Sequence, residues 1–451
     1  MVAASHSGAG KTTVTGAILR ALRERGRTVQ AFKLGPDFID AAYHAEATAR
    51  PAINLDLWMM GEAGVRASLR RWSADADMSV VESMGGLYDG ADGTEHGSAA
   101  HLAKLLGLPV VVVLDVWGMT RTTAAILDGL RAFDPDVNVA GCILNRVGGP
   151  AHAQMILDAL PERLRSLIVG TVPYRPALTI AERHLGLTTV QENPASASDR
   201  DGALVDAAAG IDVDRLMRIA GSDGAAPPTT RRPASTNTAI RARLAVAVDP
   251  AFCFYYEENM AMLRDVGFDL VPFRPTVDQR LPADSAAVYL GGGYPESFAT
   301  ELAANVSLAA ELADRAGNGM PVYAECGGLM YLARSLTGAD GAWHPLVGLL
   351  PLDVVMDPTH LAIRYVDVTT RHASPLGPAG STMRGQEFHQ SRIVNAEVAP
   401  NLYDVTTSAG STSRDGYVVG AVVASYMHLH FASNPDLPAH LLQAALDPVG
   451  H

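Results

Sequence analysis

Ser7-Gly8-Ala9-Gly10-Lys11-Thr12-Thr13 decides how the first half of this chain reads. Glycines let a short backbone curl so that successive N–H groups point inward, and a helix starting at Lys11 adds partial positive charge at its N-terminus. Lys11 can then reach the β- and γ-phosphates of a nucleotide, and the Thr12 hydroxyl can ligate Mg²⁺. Ser7, Gly8, Gly10, Lys11, Thr12 and Thr13 are the candidate nucleotide-binding residues, joined by Lys33 at the end of the next expected strand. The full motif has a glycine five residues before Gly10, where this chain has Ser5. An inert glycine-rich turn is the competing reading. Gly-x-Gly-Lys-Thr-Thr between a strand and a helix disfavours it.

Outward from that turn, short β-branched runs alternate with helical patterns. Strands are expected over 28–33, 78–82, 109–115, 139–145 and 167–171, and helices over 11–25, 97–106, 121–133, 151–160 and 212–220. Such alternation implies an α/β fold with a parallel sheet covered on both faces. Residues 221–237 are rich in Ser, Asp, Gly, Ala, Pro, Thr and Arg without an apolar period, and read as an exposed linker. The expected division is a nucleotide-binding domain over 1–220, a linker over 221–241 and a second α/β domain over 242–451. Strands of that second domain are expected near 243–249, 287–290, 321–324 and 418–425.

A chain of 451 residues suits two or three domains. Hydrophobic residues make up 48% and charged residues 18%, against roughly 25% in ordinary globular chains, so a large core is expected rather than disorder. The formal charge of −13 disfavours broad binding to nucleic acid or an anionic membrane. Cys142, Cys253 and Cys326 make neither a disulfide framework nor a paired metal motif, which suits a reducing compartment. Residues 1–5 run into the glycine turn with no basic or apolar leader. The apolar run 108–114 is too short to span a bilayer, and a cytoplasmic protein is expected. Only about five residues precede the turn, an unusually short first strand, which leaves open whether Met1 is the natural start.

A nucleotide with Mg²⁺ calls for carboxylates. Lys33-Leu34-Gly35-Pro36-Asp37-Phe38-Ile39-Asp40 follows the second strand, and Gly-Pro places Asp37 and Asp40 on a loop at its carboxyl end, where ligands bind in such sheets. Glu82 ends the third strand, ahead of Ser83-Met84-Gly85-Gly86-Leu87-Tyr88-Asp89-Gly90. Thr12, Asp37, Asp40 and Glu82 are the candidate Mg²⁺ ligands. Any one acid alone reads as a cap or turn residue, Asp40 as a helix N-cap included. Their conjunction with Lys11 and Thr12 favours the metal.

The second half carries Ala324-Glu325-Cys326-Gly327-Gly328-Leu329 after an apolar strand. A nucleophile at a strand-to-helix turn followed by small residues is an elbow with Cys in place of Ser. The helix N-terminus is expected to lower the thiol pKa, and free N–H groups there can hold an oxyanion. Gly327, with Gly292 and Gly293 of Gly291-Gly292-Gly293-Tyr294-Pro295-Glu296, are the candidate oxyanion donors. The base must be a histidine elsewhere, and Ser425-Tyr426-Met427-His428-Leu429-His430-Phe431 offers two. An inert buried thiol is the commoner fate of cysteine, and the one assigned to Cys142 and Cys253.

The motifs over 7–13, 33–44, 82–90, 145–147, 182–187, 252–259, 291–296, 325–332, 384–389 and 425–431 occur in the order found in the cobyrinic acid a,c-diamide synthase family, which the chain resembles over nearly its whole length. The resemblance implies a P-loop synthetase domain, similar to dethiobiotin synthetase, joined to a class I-type glutamine amidotransferase domain. It implies that Cys326 releases ammonia from L-glutamine, while ATP with Mg²⁺ phosphorylates a carboxylate that ammonia then displaces as an amide. In the family this occurs on two acetate side chains of a corrinoid polycarboxylate, cobyrinic or hydrogenobyrinic acid, in cobalamin biosynthesis. It carries over Asp37, Asp40 and Glu82 as metal ligands, puts Asp89 near the reacting carboxylate, and makes His428 the base. Many related amidotransferases have His-x-Glu, the Glu orienting the His. Here the third position is His430, which fits the Cys–His dyad of the cobyrinate branch. A homodimer is compatible with this reading.

The chain departs from the family pattern at Ser83-Met84, at Glu257 where Pro is common, and at Gln386 where His is usual. None of these removes a catalytic group, so reaction type follows more directly than substrate. One rival is the same chemistry on another polycarboxylate, Ni-sirohydrochlorin or a specialised-metabolite acid. Another is a P-loop ATPase switch without amidotransferase activity, which gives Cys326 and His428 no task.

Overall fold

The β-branched runs fold into strands buried on both faces, as a parallel sheet requires. In the computed structural model, which describes residues 1–178, 182–183, 186–187, 197–222 and 239–447, they are β1 (Val2–Ala4), β2 (Val29–Leu34), β3 (Ile53–Leu55), β4 (Met78–Glu82), β5 (Val110–Asp115), β6 (Val139–Val147) and β7 (Ile168–Pro173). They make one parallel sheet ordered β3-β2-β4-β1-β5-β6-β7. Glu82 on β4 pairs with both Lys33 on β2 and Val2 on β1. The carboxyl ends of β2 and β4 therefore meet beside the start of β1.

Helix α1 (Lys11–Glu24) follows β1 and buries Val14, Ile18, Leu19 and Leu22 against the sheet. Helix α2 (Phe38–Thr48) follows β2, and the spacing of 38–48 does not predict it. The expected loop carrying Asp37 and Asp40 is thereby corrected. Asp37 is the N-cap of α2, its Oδ1 accepting the N–H groups of Ile39 at 2.8 Å and Asp40 at 2.9 Å, and Asp40 lies in the first helical turn.

The chain divides into two compact units, Met1–Ala234 and Ser235–His451. A helix over Val213–Ser222 carries the first unit into the stretch expected as linker. Residues 223–238 of that stretch lie outside the described residues, as do His184 and Leu185 of the motif over 182–187.

The second unit is built on β8 (Ala242–Ala247), β9 (Phe268–Phe273), β10 (Ser285–Leu290), β11 (Val322–Glu325), β14 (Tyr417–Val419) and β15 (Val422–Ser425), ordered β9-β8-β10-β11-β15-β14. All its pairings are parallel except the β14–β15 hairpin. An antiparallel sheet, unforeseen from sequence, includes β12 (Ala362–Thr370), β13 (Thr382–His389) and β16 (His428–Leu429). Its register sets Gln386 opposite His428.

Candidate active sites

In the first unit the phosphate turn is shaped by Gly8 and Gly10, which take φ of 80° and 89°. A Cβ on Gly10 would sit 2.2 Å from the Asn145 side-chain nitrogen, which donates to the Ala9 carbonyl at 2.8 Å. Asn145, at the end of β6, thus holds the turn, a role its motif alone does not disclose. Ser7 and Gly8 are exposed, and the Thr13 hydroxyl donates to the Leu178 carbonyl. Lys11 Nζ donates to the Gly85 carbonyl at 2.7 Å and the His6 carbonyl at 3.4 Å, which ties the turn to the loop after β4. Burial, and then the charge of Lys33, lower its pKa.

Below the turn lies a buried ionic knot. Lys33 Nζ is 2.5 Å from Asp40 Oδ2 and 2.7 Å from Glu82 Oε1, and also donates to the Ser83 carbonyl. The Thr12 hydroxyl lies 3.1 Å from Asp40 Oδ1 and 3.3 Å from Glu82 Oε1. His44, absent from the candidate residues, completes the knot with Nε2 2.7 Å from Glu82 Oε2. Burial disfavours charge on Lys33, yet Asp40 and Glu82 outweigh it and raise its pKa. Burial likewise opposes ionised Glu82, but Lys33 and His44 hold its pKa below the ordinary carboxylate value. Asp40 is pushed up to about 6 by burial, with Lys33 opposing and Asp37 adding to the rise.

The structure brings Thr12, Lys33, Asp40 and Glu82 together; Asp37 borders the knot while its Oδ1 caps α2. Among the described residues no three His, Cys, Asp or Glu side chains are arranged to hold a metal ion by themselves. Two carboxylates and a hydroxyl form a hard-oxygen set that fits Mg²⁺ completed by phosphate oxygens. Asp89 folds back instead, its Oδ2 accepting the Gly86 N–H at 3.1 Å.

In the second unit Cys326 sits between β11 and a short helix over Gly327–Leu332, at φ 46° and ψ −102°. That backbone is strained for a side chain with a Cβ, as at a nucleophile elbow. Its N–H donates to the Ser425 carbonyl at 2.8 Å, Sγ lies 3.9 Å from the Phe388 carbonyl, and the Gly327 N–H faces the sulfur. The expected lowering of the thiol pKa is corrected. Burial raises it well above the ordinary value, with Glu296, Glu387 and Glu325 adding to the rise, and the Gly327 N–H opposes only in part.

The Gly291-Gly292-Gly293 turn borders both the sulfur-bearing turn and His428. A Cβ on Gly327 would lie 3.2 Å from the Gly293 nitrogen, and one on Gly292 would lie 2.3 Å from His428 Cε1. Gly292 is therefore required for the imidazole to fit. His428 is pushed down to about 3, by burial first and then by His389, with Glu387 opposing. His430 faces another way, its Nδ1 accepting the Ala432 N–H at 3.3 Å and its ring 4.9 Å from that of Tyr256. After Phe388, whose carbonyl faces the thiol, His389 stacks on Tyr426 at 3.7 Å and lies 2.7 Å from Glu387, which also binds Arg364. The motif over 384–389 is visible in sequence, but this side-chain linkage is not.

Residues 1–187 match the family model of the CobQ/CobB/MinD/ParA nucleotide binding domain, and residues 243–436 that of the CobB/CobQ-like glutamine amidotransferase domain. Proteins named cobyrinate a,c-diamide synthase are similar along the whole chain. That of Leptospira interrogans is 38% identical, covering 99% of this chain and 98% of its own. That of Syntrophotalea carbinolica is 40% identical, covering 96% of each chain. That of Methanosarcina acetivorans is 37% identical, covering 99% of this chain and 95% of its own.

Proposed function

The chain belongs to the cobyrinate a,c-diamide synthase family, and on that premise we propose that it uses ATP and L-glutamine to convert the a and c acetate carboxylates of cobyrinic or hydrogenobyrinic acid into amides. The observation that carries this reading is the strained turn at Cys326, bordered by the glycine turn against which His428 packs. A phosphate cradle alone says only that a nucleotide binds.

In the second unit Cys326 attacks the side-chain amide of glutamine while His428 takes the thiol proton and passes it to the departing nitrogen. The Gly327 N–H, which faces the sulfur, and the Gly293 N–H of the turn beside it would receive the oxyanion, and Gly292 makes room for the imidazole. Water then hydrolyses the glutamyl thioester.

In the first unit the N–H groups over 7–13 and Lys11 cradle the ATP phosphates, and Lys33 neutralises the carboxylates beneath them. The substrate carboxylate attacks the γ-phosphate, and ammonia displaces the resulting acyl phosphate as an amide. Thr12, Asp40 and Glu82, with Asp37 at their edge, would hold Mg²⁺, which when bound offsets phosphate charge. Asp89 lies on the loop that Lys11 grips, and once released from the Gly86 N–H it would face the carboxylate to be activated.

Among the described residues no helix is long and apolar enough to cross a membrane. We place the enzyme in the cytoplasm, where ATP and glutamine are supplied. The test is mass spectrometry of cobyrinic acid incubated with the protein, ATP, Mg²⁺ and glutamine. Two successive acid-to-amide mass changes are expected; an unchanged corrinoid with ATP and glutamine both present refutes the reading.

A further inference from the structure

When His428 takes the thiol proton it becomes a buried cation, and the position two residues on, where related amidotransferases have a carboxylate, is occupied by His430. An acid reaches His428 from a different element. Glu325 ends β11, immediately before the nucleophile, and its Oε2 lies 3.9 Å from His428 Nδ1, with both side chains 2% exposed. We propose that Glu325 is the positioning residue of the glutamine site: its carboxylate sets the tautomer of His428 and faces the imidazolium formed as Cys326 attacks. The proposal rests on the glutaminase reading above.

Three donors fix that carboxylate. Tyr289 donates to Oε2 at 2.9 Å, the Tyr323 hydroxyl donates to Oε1, and the backbone N–H of Leu429 donates to Oε1 at 3.0 Å. Leu429 is the neighbour of His428 on β16, so the same short strand carries both the imidazole and a donor to the acid. Burial pushes Glu325 up to about 7, and the hydrogen bonds from Tyr323, Leu429 and Tyr289 oppose that rise. The titratable groups facing Glu325 are Tyr255, Tyr289, Tyr323, Tyr403, Cys326 and His428; His389 and Glu387 face His428. At 3.9 Å the contact is longer than a hydrogen bond, and catalytic hydrogen bonds commonly tighten only when substrate is in place.

The chemistry balances without a proton on Glu325. The thiol proton moves to His428 as the S–C bond forms, then to nitrogen as the C–N bond breaks and ammonia leaves. In hydrolysis a water proton moves to His428 as C–O forms, C–S breaks, and the sulfur regains its proton. Through both halves Glu325 stays an acceptor for Nδ1–H and a counter-charge. The acid has thus moved from two residues after the base to one residue before the nucleophile, and the strand pairing of β11 with β15, three residues before His428, brings it back to the base.

The experiment compares glutamine hydrolysis by the full chain and its Glu325→Gln, Glu325→Asp, Tyr289→Phe and Cys326→Ala variants. Glu325→Gln is expected to lower kcat by roughly 10²- to 10⁴-fold, with KM little changed and amide synthesis from ammonium salts retained. Glu325→Asp is expected to recover part of the loss. Tyr289→Phe keeps the acid but removes one donor to it, so the acid limb of the kcat/KM profile should move to higher pH. Wild-type kcat in Glu325→Gln, or an unmoved acid limb in Tyr289→Phe, overturns the proposal, and the second decides if the first variant does not fold. If the wild type hydrolyses glutamine and Cys326→Ala does not, those results sink only the role of Glu325. If the wild type hydrolyses none, the glutaminase reading falls and this proposal with it.

Discussion

The two candidate sites solve the problem of burying polar chemistry in opposite ways. In the first unit Lys33, Asp40, Glu82 and His44 form a buried ionic knot, with Lys33 and Glu82 both held in their charged forms by their partners. In the second, burial drives Cys326 and His428 toward neutrality, the thiol upward and the imidazole down to about 3. The contrast follows from the ligands each site awaits. A polyphosphate arrives with a metal cation, so a site for it keeps ionised carboxylates ready for that cation, and Lys33 holds them folded until then. Glutamine has a neutral side-chain amide, so charge need develop only while it reacts, and a dry, neutral dyad costs less to keep folded.

The largest effect that can break this comparison is Cys326→Ala. Glutamine-dependent synthesis should fall by roughly 10³-fold or more, as for other lost nucleophiles, while synthesis from ammonium salts persists. Parallel activity assays with the two nitrogen sources check it, and loss with both would mean that the thiol also supports the fold. Next is Lys33→Met, which strands two buried carboxylates. Unfolding in urea should show a loss of about 3–5 kcal/mol, and the folded fraction should still hydrolyse glutamine. A near-wild-type unfolding midpoint would show that the knot is not held by its cation.

Gly292→Ala sharpens the comparison from the other side. The added methyl would lie 2.3 Å from His428 Cε1, so glutaminase kcat should drop about 10²-fold through misplacement of the base, with ATP-dependent use of ammonia unchanged. The smallest effect concerns His430, which burial pushes from 6.5 down to about 3. Its folded pKa lies below the unfolded one, so its contribution is present above 6.5 and is lost as pH falls from 6.5 toward 3. His430→Asn should flatten the acid side of the stability curve by at most about 1.4 kcal/mol per pH unit, read from urea midpoints stepped from neutral pH downward. An unchanged slope would mean that His430 is protonated in the folded chain.

Much of the framework was legible in the sequence. The turn before Lys11 and the turn at Cys326 are local events: glycine, a capping position and an apolar strand stand within a few residues of each other, and backbone sterics do the rest. Five of the seven parallel strands of the first unit announce themselves as β-branched runs; β1 shows only as a stub before the glycine turn, and the three-residue β3 was not expected. Helix α2 was missed because its start is marked by an Asp N-cap after Gly-Pro, which reads equally well as a loop. The antiparallel strands β12 and β13 escaped because half-exposed alternation is a weaker signal than a buried run. His44 and Asn145 lie in the motifs over 33–44 and 145–147, but a side chain's partner across a sheet leaves no mark on its neighbours in sequence.

By itself the sequence determined which chemical groups are present, in what order, and on which turns two of them stand, because those turns depend on residues adjacent in the chain. Only the tertiary structure decided which groups meet. Pairing of β2 with β4 sets Lys33 beside Glu82, and pairing of β13 with β16 sets His428 within the antiparallel sheet, while its neighbour Leu429 donates to Glu325. Those encounters span up to 104 residues, and burial then fixes which partners keep their charge and which give it up.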